Sequence, residues 1–168
     1  VGAREEDFGP DLEGFKAALS EKTAAVIINS PNNPSGAVIS HEDMKKLTDI
    51  LKDAEKKFGK DLFIIADEPY RELVYGDTRV PYIMNYYENT LVCYSYSKSL
   101  SLPGERIGYV TVCHEAKDKD KVFAAICGAG RALGFVCAPS LLQLTVRDCV
   151  ELTGDVSAYK KNRDLLYN

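Results

Sequence analysis

Apolar residues fall along this chain in two alternating rhythms. Short continuous apolar runs occupy Thr23 to Asn29 (TAAVIIN), Asp61 to Ala66 (with LFIIA), Leu91 to Tyr94 and Ile107 to Cys113. Their β-branched and aromatic content predicts strands. The first run is apolar throughout, the pattern of a parallel-sheet strand buried on both faces. Elsewhere the apolar positions recur at helical spacing. Leu12, Phe15, Ala18 and Leu19 form a stripe over Asp11 to Leu19, with Asp11 as its N-cap. Met44, Leu47, Ile50, Leu51, Ala54 and Phe58 form the stripe of a longer helix. Ser40 caps it, Asp43 adds a weak capping box, and Gly59 is its natural end. The lysines at 45, 46, 52, 56 and 57 form its solvated face. Further helices are predicted over Tyr82 to Glu88 (short), Lys119 to Cys127, Ser140 to Leu152 and Ala158 to Tyr167. Pro139 and Ser140 open the third of these with an N-cap, and Asp155 caps the last. The Gly128 to Gly134 stretch reads as a helix end or kink, because its spacing is not that of a glycine phosphate loop. Arg71 to Val80 has no clear rhythm.

Alternating strands and helices imply an α/β fold with a mostly parallel sheet. The last pair is different. The connection from Leu91–Tyr94 to Ile107 contains Pro103 and Gly104 and no helical stripe. A parallel crossover normally needs a dozen or more residues with a helix, so Ile107 to Cys113 is predicted to run antiparallel to its predecessor.

Composition narrows the class. The chain has 168 residues, 45% of them hydrophobic, which suits one domain with a packed core. The net charge of −4 argues against a nucleic-acid footprint. No apolar run approaches the length of a membrane span, and no secretory signal opens the chain. The five cysteines form no C-x-x-C pair and are odd in number, which disfavours a disulfide framework or a zinc site. Most lie inside apolar runs, so buried free thiols in a reducing, cytoplasmic compartment are expected. His41 and His114 fall at predicted element ends and are expected at the surface. The chain starts at Val1 and stops inside a charged helical pattern, which reads as an excised piece of a longer protein with its last helix truncated.

The chemistry gathers where strands end. Open α/β sheets bind ligands beyond the carboxyl ends of their strands. After the first strand comes Ser30-Pro-Asn-Asn-Pro-Ser-Gly36, a rigid turn containing Asn32 and Asn33. After the second come Asp67 and Tyr70. After the third comes a polar loop with Ser95, Ser97, Lys98, Ser99, Ser101 and Arg106. Hydroxyls and an arginine fork suit a phosphate, and the lysine is either a point charge on it or an amine nucleophile. Amine, phosphate clamp, isolated carboxylate and phenol together suit pyridoxal phosphate.

These three motifs, Ser-Pro-Asn-Asn-Pro-Ser-Gly, Asp-Glu-Pro-Tyr and Ser-Tyr-Ser-Lys-Ser…Gly-Glu-Arg-Ile-Gly-Tyr, occur in order, with Arg106 eight residues after Lys98. The set resembles the class I/II aminotransferases, which are fold-type-I pyridoxal-phosphate enzymes, and covers nearly the whole chain. The resemblance implies a three-layer α/β/α architecture, with residues 1–168 an incomplete cofactor-binding large domain. It implies that Lys98 forms the Schiff base and shuttles the substrate proton. Asp67 would partner the pyridine nitrogen, Tyr70 and Asn33 would donate to the cofactor's phenolic oxygen, and Ser95, Ser97 and Arg106 would hold its phosphate. It also implies a cis Asn33–Pro34 peptide.

The expected activity is transfer of an amino group from an amino acid to a 2-oxo acid, in a cytoplasmic homodimer. Two alternatives stay open: a carbon–sulfur β-lyase using the same lysine, and an aminotransferase-like effector domain of a transcription regulator. The family's upstream glycine-rich phosphate turn, its ring-stacking aromatic and its downstream arginine for the substrate carboxylate have no counterpart here. The chain alone is therefore expected to be inactive.

Overall fold

The structure, a computed structural model, describes residues 1–152 and 154–167. Among these, β1 (Ala25–Asn29), β2 (Phe63–Asp67), β3 (Thr90–Ser95) and β4 (Gly108–Val112) form one sheet in the order β1-β2-β3-β4. The first three strands are parallel, and β4 is antiparallel to β3, as expected for a connection without a crossover helix. The helices are α1 (Leu12–Ala18), α2 (His41–Phe58), α3 (Tyr96–Ser99), α4 (Lys119–Ala132), α5 (Ser140–Cys149) and α6 (Ser157–Tyr167).

Local chemistry sets the helix ends. Asp11 accepts a hydrogen bond from the Gly14 amide and opens α1. Ser40 accepts from the Asp43 amide and opens α2, and Gly59 closes it in the left-handed region at φ 66°. Asp155 accepts from the Ser157 amide ahead of α6.

The core lies on one face of the sheet. Ile28, Ile64, Ala66 and Val92 point there by strand alternation, and Met44, Leu47, Leu51 and Ala54 of α2 cover them. Phe15, Leu62, Ile83 and Tyr87 complete the cluster, with the buried Tyr87 hydroxyl donating to the Leu62 carbonyl at 3.0 Å. Arg4 clamps the N-terminal turn onto α2, its guanidinium donating to Asp43 at 2.8 Å and to Asp7 at 2.7 Å.

The opposite face departs from expectation. Its rows are Ala25, Ile27 and Asn29 on β1, Phe63, Ile65 and Asp67 on β2, and Leu91, Cys93 and Ser95 on β3. Ile27 is 75% exposed, so β1 is not buried on both faces. The second helical layer is represented by α4, which touches β4 and approaches Phe63 through Val122 and Ala125, away from Ile27.

Other expectations are corrected. Lys98 lies on the helical turn α3 rather than in a loop. The Tyr82 to Glu88 segment holds only a 3-10 turn at Ile83–Asn85. Helix α4 runs past the predicted Cys127 to Ala132, so the Gly128 to Gly134 stretch holds the helix end, as expected, and Gly134 follows its cap. There φ is 88°, and the Phe135 and Gly134 amides donate back to Gly130 and Arg131. Ser140 is the first residue of α5 and makes no side-chain cap, because Pro139 occupies the cap position. Of the cysteines only Cys113 is buried. Cys93 and Cys149 are half-buried and Cys127 and Cys137 are exposed, because α4 and α5 pack few apolar side chains inward. Both histidines are exposed. No helix among the described residues is long and apolar enough to cross a membrane.

Candidate functional site

Three parallel strands deliver three segments to one edge of the sheet. β1 ends at Asn29 and runs into the 30–36 turn. There the buried Ser30 hydroxyl accepts from the Ile39 amide, and the Gly36 and Asn32 amides donate to the Asn32 and Ala37 carbonyls. Asn33–Pro34 is cis, as expected, and so is Ser30–Pro31. This folding holds the Asn33 side chain out toward β2.

β2 ends at Asp67. Alternation turns its side chain away from the core face that buries Ala66, and the residue is exposed. The next residue, Glu68, is buried. Burial pushes its carboxyl up even though Arg71 pairs with it at 2.9 Å. Arg71 also donates to the Val80 and Pro81 carbonyls and lies over the Tyr82 ring, which ties down residues 71–82. Tyr70, at the start of that loop, therefore has a fixed base. α6 leans on the same loop through the Arg163 guanidinium, 4.8 Å from the Tyr75 ring.

β3 ends at Ser95, which caps α3. Its hydroxyl accepts from the Ser97 amide at 3.2 Å and donates to the Ser97 hydroxyl at 2.8 Å. Lys98 is on this turn, exposed, with its ammonium 5.7 Å from the centre of the Tyr70 ring. The close strand pairing behind it depends on Gly108, opposite Ser95. A Cβ there would lie 2.3 Å from the Tyr94 carbonyl oxygen.

The polar groups are linked from end to end. The Asn33 side-chain amide donates to the Tyr70 hydroxyl at 3.1 Å. The Asn33 backbone amide donates to Asn29 Oδ1 at 2.8 Å. Asn29 Nδ2 donates to the Asp67 carbonyl at 2.9 Å and its carboxylate at 3.2 Å. Lys98, Tyr70, Asn33 and Asp67 are thus brought into one array, and Ser95 and Ser97 pair beside it. Arg106 stands apart. It is exposed, its backbone has a positive φ of 51°, and its guanidinium donates to the Pro103 carbonyl at 2.9 Å. Asn29 is the member that motif reading passed over. The available signal was a polar residue closing an otherwise apolar strand, opposite Asp67.

Cys93 neighbours Asp67 in register on the same face. Burial first, and then the Asp67 carboxylate, push its thiol up, so it stays protonated and is a poor nucleophile. Lys98 is the better placed nucleophile in this array. Among the described residues there is no group of three or more histidine, cysteine or acidic side chains that could hold a metal.

Residues 3–168 match the sequence signature of the family described as aminotransferase class I and II. The chain belongs to that family. Within it, the probable aspartate aminotransferase of Methanocaldococcus jannaschii is 32% identical over 98% of this chain and 43% of its own length. The probable aspartate/prephenate aminotransferase of Aquifex aeolicus is 39% identical over 67% of this chain and 28% of its own length. A crystal structure of an aminotransferase from Eubacterium rectale superposes with a TM-score of 0.97 at 59% identity, over 99% of this chain and 42% of that one. The chain therefore spans less than half the length of these aminotransferases. Class I and II aminotransferases generally depend on pyridoxal phosphate, and the fold described above is that of an incomplete α/β domain of this family.

Proposed function

We propose that this chain is a section of the cofactor-binding large domain of a pyridoxal-phosphate-dependent aminotransferase. The whole protein would move an amino group from an amino acid to a 2-oxo acid as a cytoplasmic homodimer. One observation carries the reading: an amine, a phenol, two amides and a carboxylate from three strand ends form a continuous array, Lys98–Tyr70–Asn33–Asn29–Asp67. The relatives' names direct it to amino transfer rather than to β-lyase chemistry or a regulatory effector role.

The donor set fits the cofactor. An exposed carboxylate at a strand end suits a pyridinium nitrogen, two adjacent donors suit a phenolic oxygen, and paired hydroxyls suit a phosphate. When bound, the cofactor supplies an electron sink for the substrate's Cα. Lys98 would attach it through Nζ, and the same amine would take and return the Cα proton. Asp67 would hold a proton on the ring nitrogen. The Tyr70 hydroxyl and Asn33 Nδ2 would orient the ring by donating to its oxygen. Ser95 and Ser97 would hold the phosphate, with Arg106 joining them by exchanging the Pro103 carbonyl for a phosphate oxygen.

Site-selective reductive trapping tests this. The chain is incubated with pyridoxal phosphate, reduced with borohydride, and its peptides mapped by mass. A single pyridoxyl adduct on Lys98, absent in Lys98→Ala, is expected. Label distributed evenly onto solvated lysines such as Lys45 and Lys56 would overturn the reading.

A further inference from the structure

We propose that Asn29 is a positioning residue that couples Asp67 to Asn33, so that the site's carboxylate and the amide facing Tyr70 are set by one side chain. Asn29 and Asp67 are register partners at the ends of neighbouring parallel strands. All four hydrogen-bonding positions of the Asn29 amide are used. The two Nδ2 protons go to the Asp67 carbonyl and carboxylate, at 2.9 and 3.2 Å. The two Oδ1 lone pairs accept from the Asn33 backbone amide at 2.8 Å and from Asn32 Nδ2 at 3.3 Å.

The orientation of this amide is dictated by its neighbours. Reversing it would set an oxygen against the Asp67 carboxylate and an NH2 against the Asn33 N–H, which loses the bonds at both ends. An amide is therefore the side chain that serves both partners. A carboxylate at position 29 would keep the acceptor side and repel Asp67, and an apolar residue would keep neither. Beyond Asn29 the coupling continues, since the Asn33 side chain donates to Tyr70, whose ring lies beside Lys98. The separation of the array's acid from its phenol thus follows from strand register plus one side chain.

A cycle of variants read by amide hydrogen exchange tests this without cofactor. Asp67→Ala speeds exchange of the Asn33 backbone amide by about fivefold when Asn29 is present, because the Asn29 amide then loses the carboxylate and is held at that end by the backbone carbonyl of residue 67 alone. In the Asn29→Ala background the same change has no further effect, since the link is already cut. An Asn33 amide indifferent to Asp67→Ala in the parent chain overturns the proposal.

The second readout rests on the cofactor reading above. Asn29→Asp keeps the acceptor for Asn33 while losing the tie to Asp67, so exchange of the Asn33 amide speeds up as in Asp67→Ala but stays slower than in Asn29→Ala. It also raises the pyridoxal phosphate concentration needed for half-labelling of Lys98 by about tenfold. Exchange as fast in Asn29→Asp as in Asn29→Ala, together with lost labelling, would instead mark a residue that only supports the fold. If the parent chain itself is not labelled at Lys98, the cofactor reading fails and the exchange cycle alone decides the role of Asn29.

Discussion

The side-chain amide of Asn33 donates to the hydroxyl of Tyr70 at 3.1 Å, joining the loops after β1 and β2 across 37 residues of sequence. Because Tyr70 accepts in this bond, its own hydroxyl proton remains available to a ligand. Tyr70→Phe removes both the acceptor and that proton. Asn33 is exposed, so water replaces the lost acceptor and stability changes by less than about 1 kcal/mol in denaturant titration. Capture of pyridoxal phosphate at Lys98 is expected to weaken about tenfold, read as the concentration for half-labelling. Unchanged capture would remove Tyr70 from the site.

Lys98 offers a cleaner separation of charge from nucleophile. Its ammonium lies 5.7 Å from the Tyr70 ring, and the residue is exposed. Lys98→Arg keeps a cation for that ring, and stability is expected to stay within about 0.5 kcal/mol of the parent. A guanidinium remains protonated and forms no reducible adduct, so trapping at this position is abolished. A persistent adduct in the 96–106 peptide would show that another group captures the aldehyde.

Much of the fold was legible because single residues carry it. Asp11, Ser40 and Gly59 each mark a helix end by their own chemistry, and each does so in the structure. The antiparallel β4 followed from a connection of minimal length with no helical stripe to make a crossover. The site motifs were legible as clusters after strand ends, and the array of Lys98, Tyr70, Asn33 and Asp67 lies at those ends.

What escaped the sequence depends on partners far along the chain. Asn29 reads as the last residue of a strand until Asp67, 38 residues on, is placed beside it. The turn α3 has four residues, too few for a helical period to register. The apolar run of β1 shows that Ile27 is greasy, not what covers it. The Gly128 to Gly134 stretch located the end of α4 but not its last residue: the helix carries Gly128 and Gly130, since a helical glycine costs only about 1 kcal/mol, and the left-handed turn falls at Gly134.

The Arg4–Asp43 clamp gives the fold a predictable acid sensitivity. The hydrogen bond from Arg4 holds the Asp43 carboxyl below its ordinary 3.8, against the opposing cost of burial. A depressed folded-state value means stability that is present above 3.8 and lost as pH falls through the lower folded value. Asp43→Asn is expected to cost about 1 kcal/mol at pH 7, because the Arg4 side chain is partly solvated and keeps Asp7 as a partner. Asp7 itself is held at about 2 by the same guanidinium. The gap between parent and variant should close as urea midpoints are measured from pH 5 downward. A gap that stays constant to pH 2.5 would mean that the clamp acts through packing rather than charge.

Gly108 ties the sheet to the site most directly. It faces Ser95 across the antiparallel pair, and a Cβ at that point would lie 2.3 Å from the Tyr94 carbonyl oxygen and 3.2 Å from the Ser95 Cα. Both neighbours are backbone, so no side chain can swing aside. β4 must then move away from β3, loosening the Tyr94–Tyr109 stack at 5.1 Å and the bond from the Tyr96 amide to the Ile107 carbonyl at 3.1 Å. That second bond anchors the first residue of α3, the turn that carries Lys98. Gly108→Ala is expected to destabilise the chain by about 2 kcal/mol, in the range of overpacking changes. It should also raise the pyridoxal phosphate concentration needed for half-labelling of Lys98, because it displaces the turn without touching its side chains. Melting temperature and half-labelling concentration, measured on the same preparation, separate the two effects. An alanine variant as stable as the parent and labelled at the same concentration would show that the strands tolerate the shift and that Ser95 does not depend on their close approach.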